Sequence, residues 1–414
     1  MRPLRRLVDV RPGEGRALAL SFLAFFLLLT AYYILRPIRE ERAVAAGAAK
    51  LPYLYAWVFG TMLALLSGWS ALLARWPRSR VVPLVYHFFV ANLVAFYLLF
   101  RGQAAALLVA QVFFVWVSVF NFFAVAAFWG LMADRFDQAQ GKRLFGFVAA
   151  GGSAGAIAGP FFTEHAVRSL GAANLVLISA VLLELCALCI RRLARAPRAD
   201  APEPVVGGGT WSGIKVVFAS PYLLLIAGYT FLASLAGTYG YNLQAYLVQA
   251  ANFDQATRIA FFARLEQIVS VGALLVQFLV VGRLLTRFGA GMVLAVLPPL
   301  SSAAFAALAA RPVLNVAASL HALRRILAYG MWGPANGVLF TVVDREQKYK
   351  SKAFIETVIF RGGDVLTSTS VAAIMGAGWG VRGAALVAVP IGLLWLVLAI
   401  ALGRMHQGIA GKPR

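Results

Sequence analysis

The chain has 414 residues, 61% hydrophobic and only 13% charged, and runs of about twenty apolar residues recur from end to end. That composition excludes a soluble domain, and the lack of short alternating segments excludes a β-barrel, leaving an all-α polytopic membrane protein. A net charge of +22 invites a nucleic-acid reading, which the placement of the basic residues removes.

Twelve transmembrane spans are predicted, near residues 17–36, 53–74, 81–100, 105–132, 144–163, 173–190, 216–248, 259–281, 290–309, 313–341, 354–376 and 383–403. The first has a basic flank, but its apolar run continues through Leu35, so it reads as an uncleaved span rather than a signal peptide. It ends in "ILRPIREER", where Pro37 perturbs the helix just as Arg36, Arg39 and Glu40 emerge. That stretch is either a solvated loop or an anion-attracting mouth to a pathway. Between the fourth and fifth spans, "ADRFDQAQGKR" carries Asp134 and Lys142. The fifth span contains "GGSAGAIAGP", with Gly151, Gly155 and Gly159 four apart. Such spacing lets helix backbones approach closely. A phosphate-cradling loop would need a preceding strand, and none is predicted. The sixth span holds Glu184 and a C-x-x-C, Cys186 and Cys189, which reads as packing rather than redox chemistry.

After Arg192 the hydropathy collapses into an Arg-, Pro- and Gly-rich stretch, a linker over 193–212 between halves 1–192 and 213–414. The seventh span contains "TYGYNLQAY", whose Tyr241 and Asn242, with Tyr33 of the first span, offer stacking and hydrogen bonds. An aromatic stripe is more often packing than binding. Arg264 and Glu266 lie one to two turns into the eighth span, where snorkelling or a structural ion pair fits. In the tenth span Arg324 and Arg325 follow Arg311 by 13 and 14 residues, about 20 Å along a helix and too deep to snorkel cheaply. The next loop carries Asp344 and Lys352, each 210 residues after Asp134 and Lys142. In the eleventh span Arg361 and Asp364 share a helix face, and each would cost about 2.5–3.5 kcal/mol at the centre of a span. Residues of that kind face the bundle interior or a wet cavity and are functional candidates. His87 and His321 stand isolated, without a second ligand at metal spacing, and read as core histidines.

With the N-terminus inside, 25 of the 38 basic residues fall on one side and 9 on the other, the remaining 4 lying within spans. This is a positive-inside pattern. It places both termini in the cytoplasm, in the inner or plasma membrane, and accounts for the charge without nucleic acid. Two six-helix halves joined by a cytoplasmic linker describe the major facilitator architecture, in which a substrate site lies between the halves.

Three motifs carry a further likeness. "ILRPIRE" at 34–40 resembles the first-helix motif of the nucleotide (ATP/ADP) translocase family, and "FWGLMADRFDQAQGKRLFG" at 128–146 resembles that family's fourth-helix Phe-Trp-Gly with the Lys-Arg-Phe-Tyr-Gly after it. "KSKAFIETVIFRGGD" at 350–364 resembles its Lys-x-Lys-x-x-Ile-Asp segment. Arg39 and Glu40 stand where the family carries Lys and Asp, and Glu356 where it carries Asp, so the likeness is to a divergent relative. The resemblance implies exchange of nucleotides through charged membrane residues.

The function expected is alternating-access transport of an anionic or phosphorylated solute, such as a nucleotide, by exchange. Arg324, Arg361, Arg36, Arg39, Tyr33, Tyr241 and Asn242 are the candidate substrate contacts. Glu40, Arg264, Glu266, Asp364, Asp134, Lys142, Asp344 and Lys352 are the candidate gating ion pairs. The rival readings are a lipid scramblase or flippase, and a proton-coupled carrier of another small solute. No enzyme constellation, cofactor or metal site is expected; the partners expected are the solute and membrane lipid, around a monomer.

Overall fold

The structure, a computed structural model, describes residues 10–102, 105–195 and 212–410. Its helices, in chain order, are α1 (Gly15–Ala46), α2 (Leu51–Arg75), α3 (Arg78–Gly102), α4 (Ala106–Arg135), α5 (Gln138–Arg195), α6 (Ser212–Ala219) and α7 (Pro221–Ala250). They continue with α8 (Gln255–Val276), α9 (Gly282–Ala310), α10 (Leu314–Leu327), α11 (Gly333–Leu339), α12 (Arg345–Phe354), α13 (Phe360–Gly376) and α14 (Gly380–Ala410). No strand occurs among the described residues.

Nine helical stretches among the described residues are long and apolar enough to cross a membrane. Two of them bend at a glycine with positive φ, Gly171 (76°) and Gly289 (74°), a conformation open to glycine without a Cβ penalty. Each bend divides one long stretch into two arms, so the apolar segments number eleven. The expected tenth span is absent from that set for a physical reason. Its stretch, α10 and α11 joined by a π-helical turn at Ala328–Trp332, carries the adjacent Arg324 and Arg325 with Asn315 and His321, and these polar side chains make it less apolar than the other spans.

The chain gathers into two compact units, one of residues 1–43, 68–205 and 254–267, the other of residues 44–67, 206–253 and 268–414. Most of the predicted linker, 196–211, lies outside the described residues.

In the first unit α5 meets α1 backbone to backbone. A Cβ built on Gly151 would lie 2.5 Å from the Phe22 carbonyl oxygen, one on Gly155 2.5 Å from that of Phe26, and one on Gly159 2.8 Å from that of Thr30. The four-residue glycine spacing is thus a packing device, as the sequence suggests. Beside it Phe25 stacks on Phe128 at 4.6 Å. Cys186 Sγ donates to the Ala24 carbonyl at 3.2 Å, and both cysteines are buried and unpaired. Gly155→Ala is expected to cost about 1–3 kcal/mol through overpacking against a carbonyl that has no room to move. A lower melting temperature in detergent would register that cost, whereas an unchanged one would show that the two helices separate freely.

In the second unit α9 and α14 make the corresponding close contact. A Cβ on Gly403 would come 2.8 Å from the Gly291 Cα, and one on Gly392 would come 2.8 Å from the Pro298 carbonyl oxygen. Tyr229 and Trp395 fill the space toward α7 with ring centroids 5.3 Å apart, and Tyr229 donates its hydroxyl to the Leu294 carbonyl at 3.0 Å.

Candidate functional site

The end of α1 does not emerge as a solvated loop. Its glutamates are buried, its arginines are partly buried, and they pair within the first unit. Arg36 Nη1 lies 3.2 Å from Glu266 on α8 and its Nε 3.9 Å from Glu40, while Arg39 pairs with Glu40 at close range. Arg39 also donates to Ser118 Oγ at 3.3 Å and lies over the Phe114 ring at 5.2 Å. One turn on, Glu41 joins Arg42 (3.6 Å) to Arg258 of α8 (3.0 Å). Asp254 accepts from the backbone N–H groups of Ala256 and Thr257, which caps α8 and sets Arg258 in place. Glu40, Glu41 and Glu266 are all buried, and each has a guanidinium within ion-pair distance. Tyr33 sits edge-on to Tyr32 at 5.1 Å, with the Arg36 guanidinium 5.8 Å from its ring.

Glu41, Arg42 and Arg258 complete this cluster and were not among the sequence candidates. Arg264 stands apart from Glu266. Its side chain is 74% exposed, and its contact is Glu164 at 4.0 Å.

The second unit holds a different arrangement, with α7 as its common wall. Asp364 is 3% exposed. Its Oδ2 accepts from Arg361 Nη1 at 3.1 Å, and its Oδ1 accepts from Ser234 (2.9 Å) and Thr238 (2.6 Å) of α7. The approach of α13 to α7 depends on Gly363, where a Cβ would lie 2.8 Å from Ser234 Oγ. Asn242 donates to Ser368 Oγ at 3.1 Å and to the Thr238 carbonyl at 2.8 Å. Buried and committed in this way, it ties α7 to α13. Tyr241 meets Tyr55 edge-on at 6.1 Å.

Arg324 approaches α7 from α10. A Cβ on Gly237 would come 3.2 Å from Arg324 Nη2, so the missing side chain makes room for the guanidinium. Its Nε is buried without a hydrogen-bond partner, and no salt bridge joins it to an acid among the described residues. Its neighbour Arg325 is buried and lies over the Tyr329 ring at 5.5 Å. A π-helical turn follows Arg324 and Arg325 at Ala328–Trp332, and another at Ile355–Ile359 precedes Arg361. Turns of this kind insert a residue, re-aim side chains and concentrate at functional sites.

The repeated loop residues take unlike roles. Asp134 accepts from Arg78 at 3.1 Å. Asp344 caps α12 by accepting from the Gln347 N–H at 2.8 Å. Lys142 is exposed, and Lys352 lies 3.7 Å from Glu356 with both side chains half exposed. The firm ion pair near the start of α1 is instead Glu14–Arg143, at 2.8 Å.

Arg143's hydrogen bond, helped by the Arg11 N–H and Gln140, holds the Glu14 carboxyl down at about 2. An unfolded glutamate titrates near 4.3. The stabilisation from this pair is therefore fully present above about pH 4.5 and is lost as pH falls toward 2. Wild type is expected to lose melting temperature over that window more steeply than Glu14→Gln. Parallel acid curves for the two would count against the pair.

His321 is buried, with Nδ1 close to Gly240. His87 is not a core histidine: its Nδ1 lies 2.9 Å from Glu184 Oε2, and both side chains are more than a third exposed. Among the described residues no group of three His, Cys, Asp or Glu side chains has the arrangement to hold a metal ion.

Residues 130–363 match the Major Facilitator Superfamily profile. No curated protein matches the chain. Among solved structures it is similar to a bacterial homolog of the human lysosomal transporter Spinster in an inward-facing, unoccupied conformation, at 15% identity and TM-score 0.66, over 98% of this chain and 100% of that one. It is similar also to a bacterial homologue of the iron transporter ferroportin in an inward-facing state, at 12% identity and TM-score 0.68, over 94% and 98% of the two chains. A third similar structure is the nucleoside transporter NupG, at 13% identity and TM-score 0.62, over 95% and 100%. At such identities the likeness is one of fold.

Proposed function

We propose that this chain, which belongs to the Major Facilitator Superfamily, carries an anionic organic solute by alternating access and receives the solute's negative charge on Arg324. Members of that family are multi-pass membrane transporters of small molecules, and the chain is a transporter rather than an enzyme. The proposal adds the solute class and the residue.

The observation that carries it is the contrast among partly buried arginines. Arg36, Arg39, Arg258 and Arg361 each have a carboxylate partner. Arg324 has none among the described residues, yet it sits ten residues into α10, about 15 Å along the helix. A cation held there without a counter-ion is costly, and a negatively charged ligand relieves that cost. Arg361 has a second part. An anion that draws its guanidinium away from Asp364 leaves that carboxylate with its two hydroxyl donors, Ser234 and Thr238, so the acid is not stranded. Binding thereby exchanges one counter-ion for another, which favours obligatory exchange over uniport.

Counting α10, its π turn and α11 as one span gives twelve, and the basic-residue asymmetry puts both termini in the cytoplasm of a cell whose inner or plasma membrane holds the protein. Residues 1–192 and 213–414 are the two moving halves. Within the anionic class, the motif likeness to nucleotide translocases favours a phosphorylated solute such as a nucleotide.

The test is thermal stabilisation of the purified protein by a panel of nucleotides, sugar phosphates, carboxylates and neutral sugars, followed by counterflow in liposomes for each hit. Stabilisation and counterflow by an anion support the proposal. Stabilisation confined to neutral or cationic solutes sinks it, as does phospholipid scrambling with no soluble ligand.

A further inference from the structure

The pair His87–Glu184 belongs to neither cluster. His87 is the tenth residue of α3, nine beyond Arg78, and Glu184 precedes Arg191 by seven in the second arm of α5. Those separations put the pair about 10–14 Å along the helices from their basic ends, well inside a hydrocarbon core about 30 Å thick. The surrounding face is apolar and outward. Leu84 is 70% exposed and Phe88 61%, and Val181 and Leu185 are exposed beside Glu184. Side chains of this kind belong against lipid tails. Two ionisable groups among them are out of place, because polar groups in hydrocarbon must find partners.

Their mutual contact uses one nitrogen of His87 and one oxygen of Glu184. The second ring nitrogen and the second carboxyl oxygen make no further bond among the described residues. One patch therefore presents a spare nitrogen beside a spare oxygen. Such a patch is self-complementary about a two-fold axis, where the nitrogen of each copy meets the oxygen of the other. Lipid tails offer no such match, and water at that depth has apolar neighbours on every side. Interhelical hydrogen bonds between side chains are one of the forces that hold membrane helices together.

We propose that this face of α3 and α5 is the interface of a homodimer within the membrane, with the His87–Glu184 pair of one copy docked reciprocally on that of the second. The proposal replaces the monomer suggested by the sequence and is independent of the transported solute.

Single-molecule photobleaching of labelled protein in liposomes, across a range of protein-to-lipid ratios, tests it. Wild type should be dimeric at high density and should dissociate on dilution. The double variant His87→Leu with Glu184→Leu should need roughly tenfold more protein per lipid to reach the same dimer fraction. Val181→Trp, which adds bulk on the face without touching the pair, should weaken the dimer as well, which covers the case that the double variant fails to fold. Leu84→Cys should crosslink between copies, while Leu393→Cys, exposed on α14, should not. A wild type that stays monomeric at every density overturns the proposal. So do dimers that both variants leave unchanged, or crosslinks at Leu393 in place of Leu84.

Discussion

Arg324→Gln is expected to weaken binding of the transported anion by about one to two orders of magnitude and to leave the melting temperature of the empty protein unchanged or slightly raised. A hydrogen bond to a charged group contributes about 1.5–3 kcal/mol, which is roughly a 10- to 150-fold change in affinity. The stability half of the expectation follows from the missing acid. No carboxylate among the described residues is joined to Arg324, so removing the guanidinium strands nothing, and it relieves the burial of a charge. Calorimetric titration with the best anion from the panel, alongside thermal unfolding without ligand, reads both halves. Undiminished affinity would move the anion site away from α10. A large loss of stability would mean that the guanidinium is a structural element.

Glu41→Ala should show the reverse signature. Glu41 is 1% exposed and lies between Arg42 and Arg258. Its removal takes away the buried carboxylate that Arg42 and Arg258 share, and breaking a buried pair by removing one partner costs about 3–5 kcal/mol. The loss should be largely recovered in Glu41→Gln with Arg258→Met, because removing both members of a buried pair is far milder than removing one. Unfolding of the single and double variants in mild detergent distinguishes the cases. If the single change costs less than about 1 kcal/mol, the pair behaves as a solvated surface bridge, and the buried character assigned to it is wrong.

Much of this molecule is legible from composition and spacing alone. Apolar runs long enough to span a bilayer mark the helices. Gly151, Gly155 and Gly159 announce their packing role because the spacing repeats along one helix. Arg361 and Asp364 are found for the same reason, as residues three apart share a face. What local spacing cannot reach is pairing across distance. Glu41 and Arg258 are 217 residues apart in the chain, and so they escaped notice beside the more conspicuous Arg36 and Arg39. His87 and Glu184 are 97 residues apart, and the spacing around neither points to the other. The only local signal was the run of two acids between arginines, "REER", at the end of the first span. The tenth span shows the opposite case: the adjacent arginines that interrupt its apolar pattern are also what makes it a candidate functional element.

The glycine contacts between α5 and α1 also bear on how the first unit can deform. Three carbonyl oxygens, of Phe22, Phe26 and Thr30, face three glycines at equal intervals, so the two helices engage like a short rack. A slide of a fraction of a turn would drive side chains into the carbonyls. The next position of good fit lies a full repeat away, about 6 Å. Between those two positions the register is locked, and a carrier that changes shape thousands of times cannot let slack accumulate along this seam. The α1–α5 pair is therefore the rigid spar of its unit, and compliance must come from elsewhere in the chain.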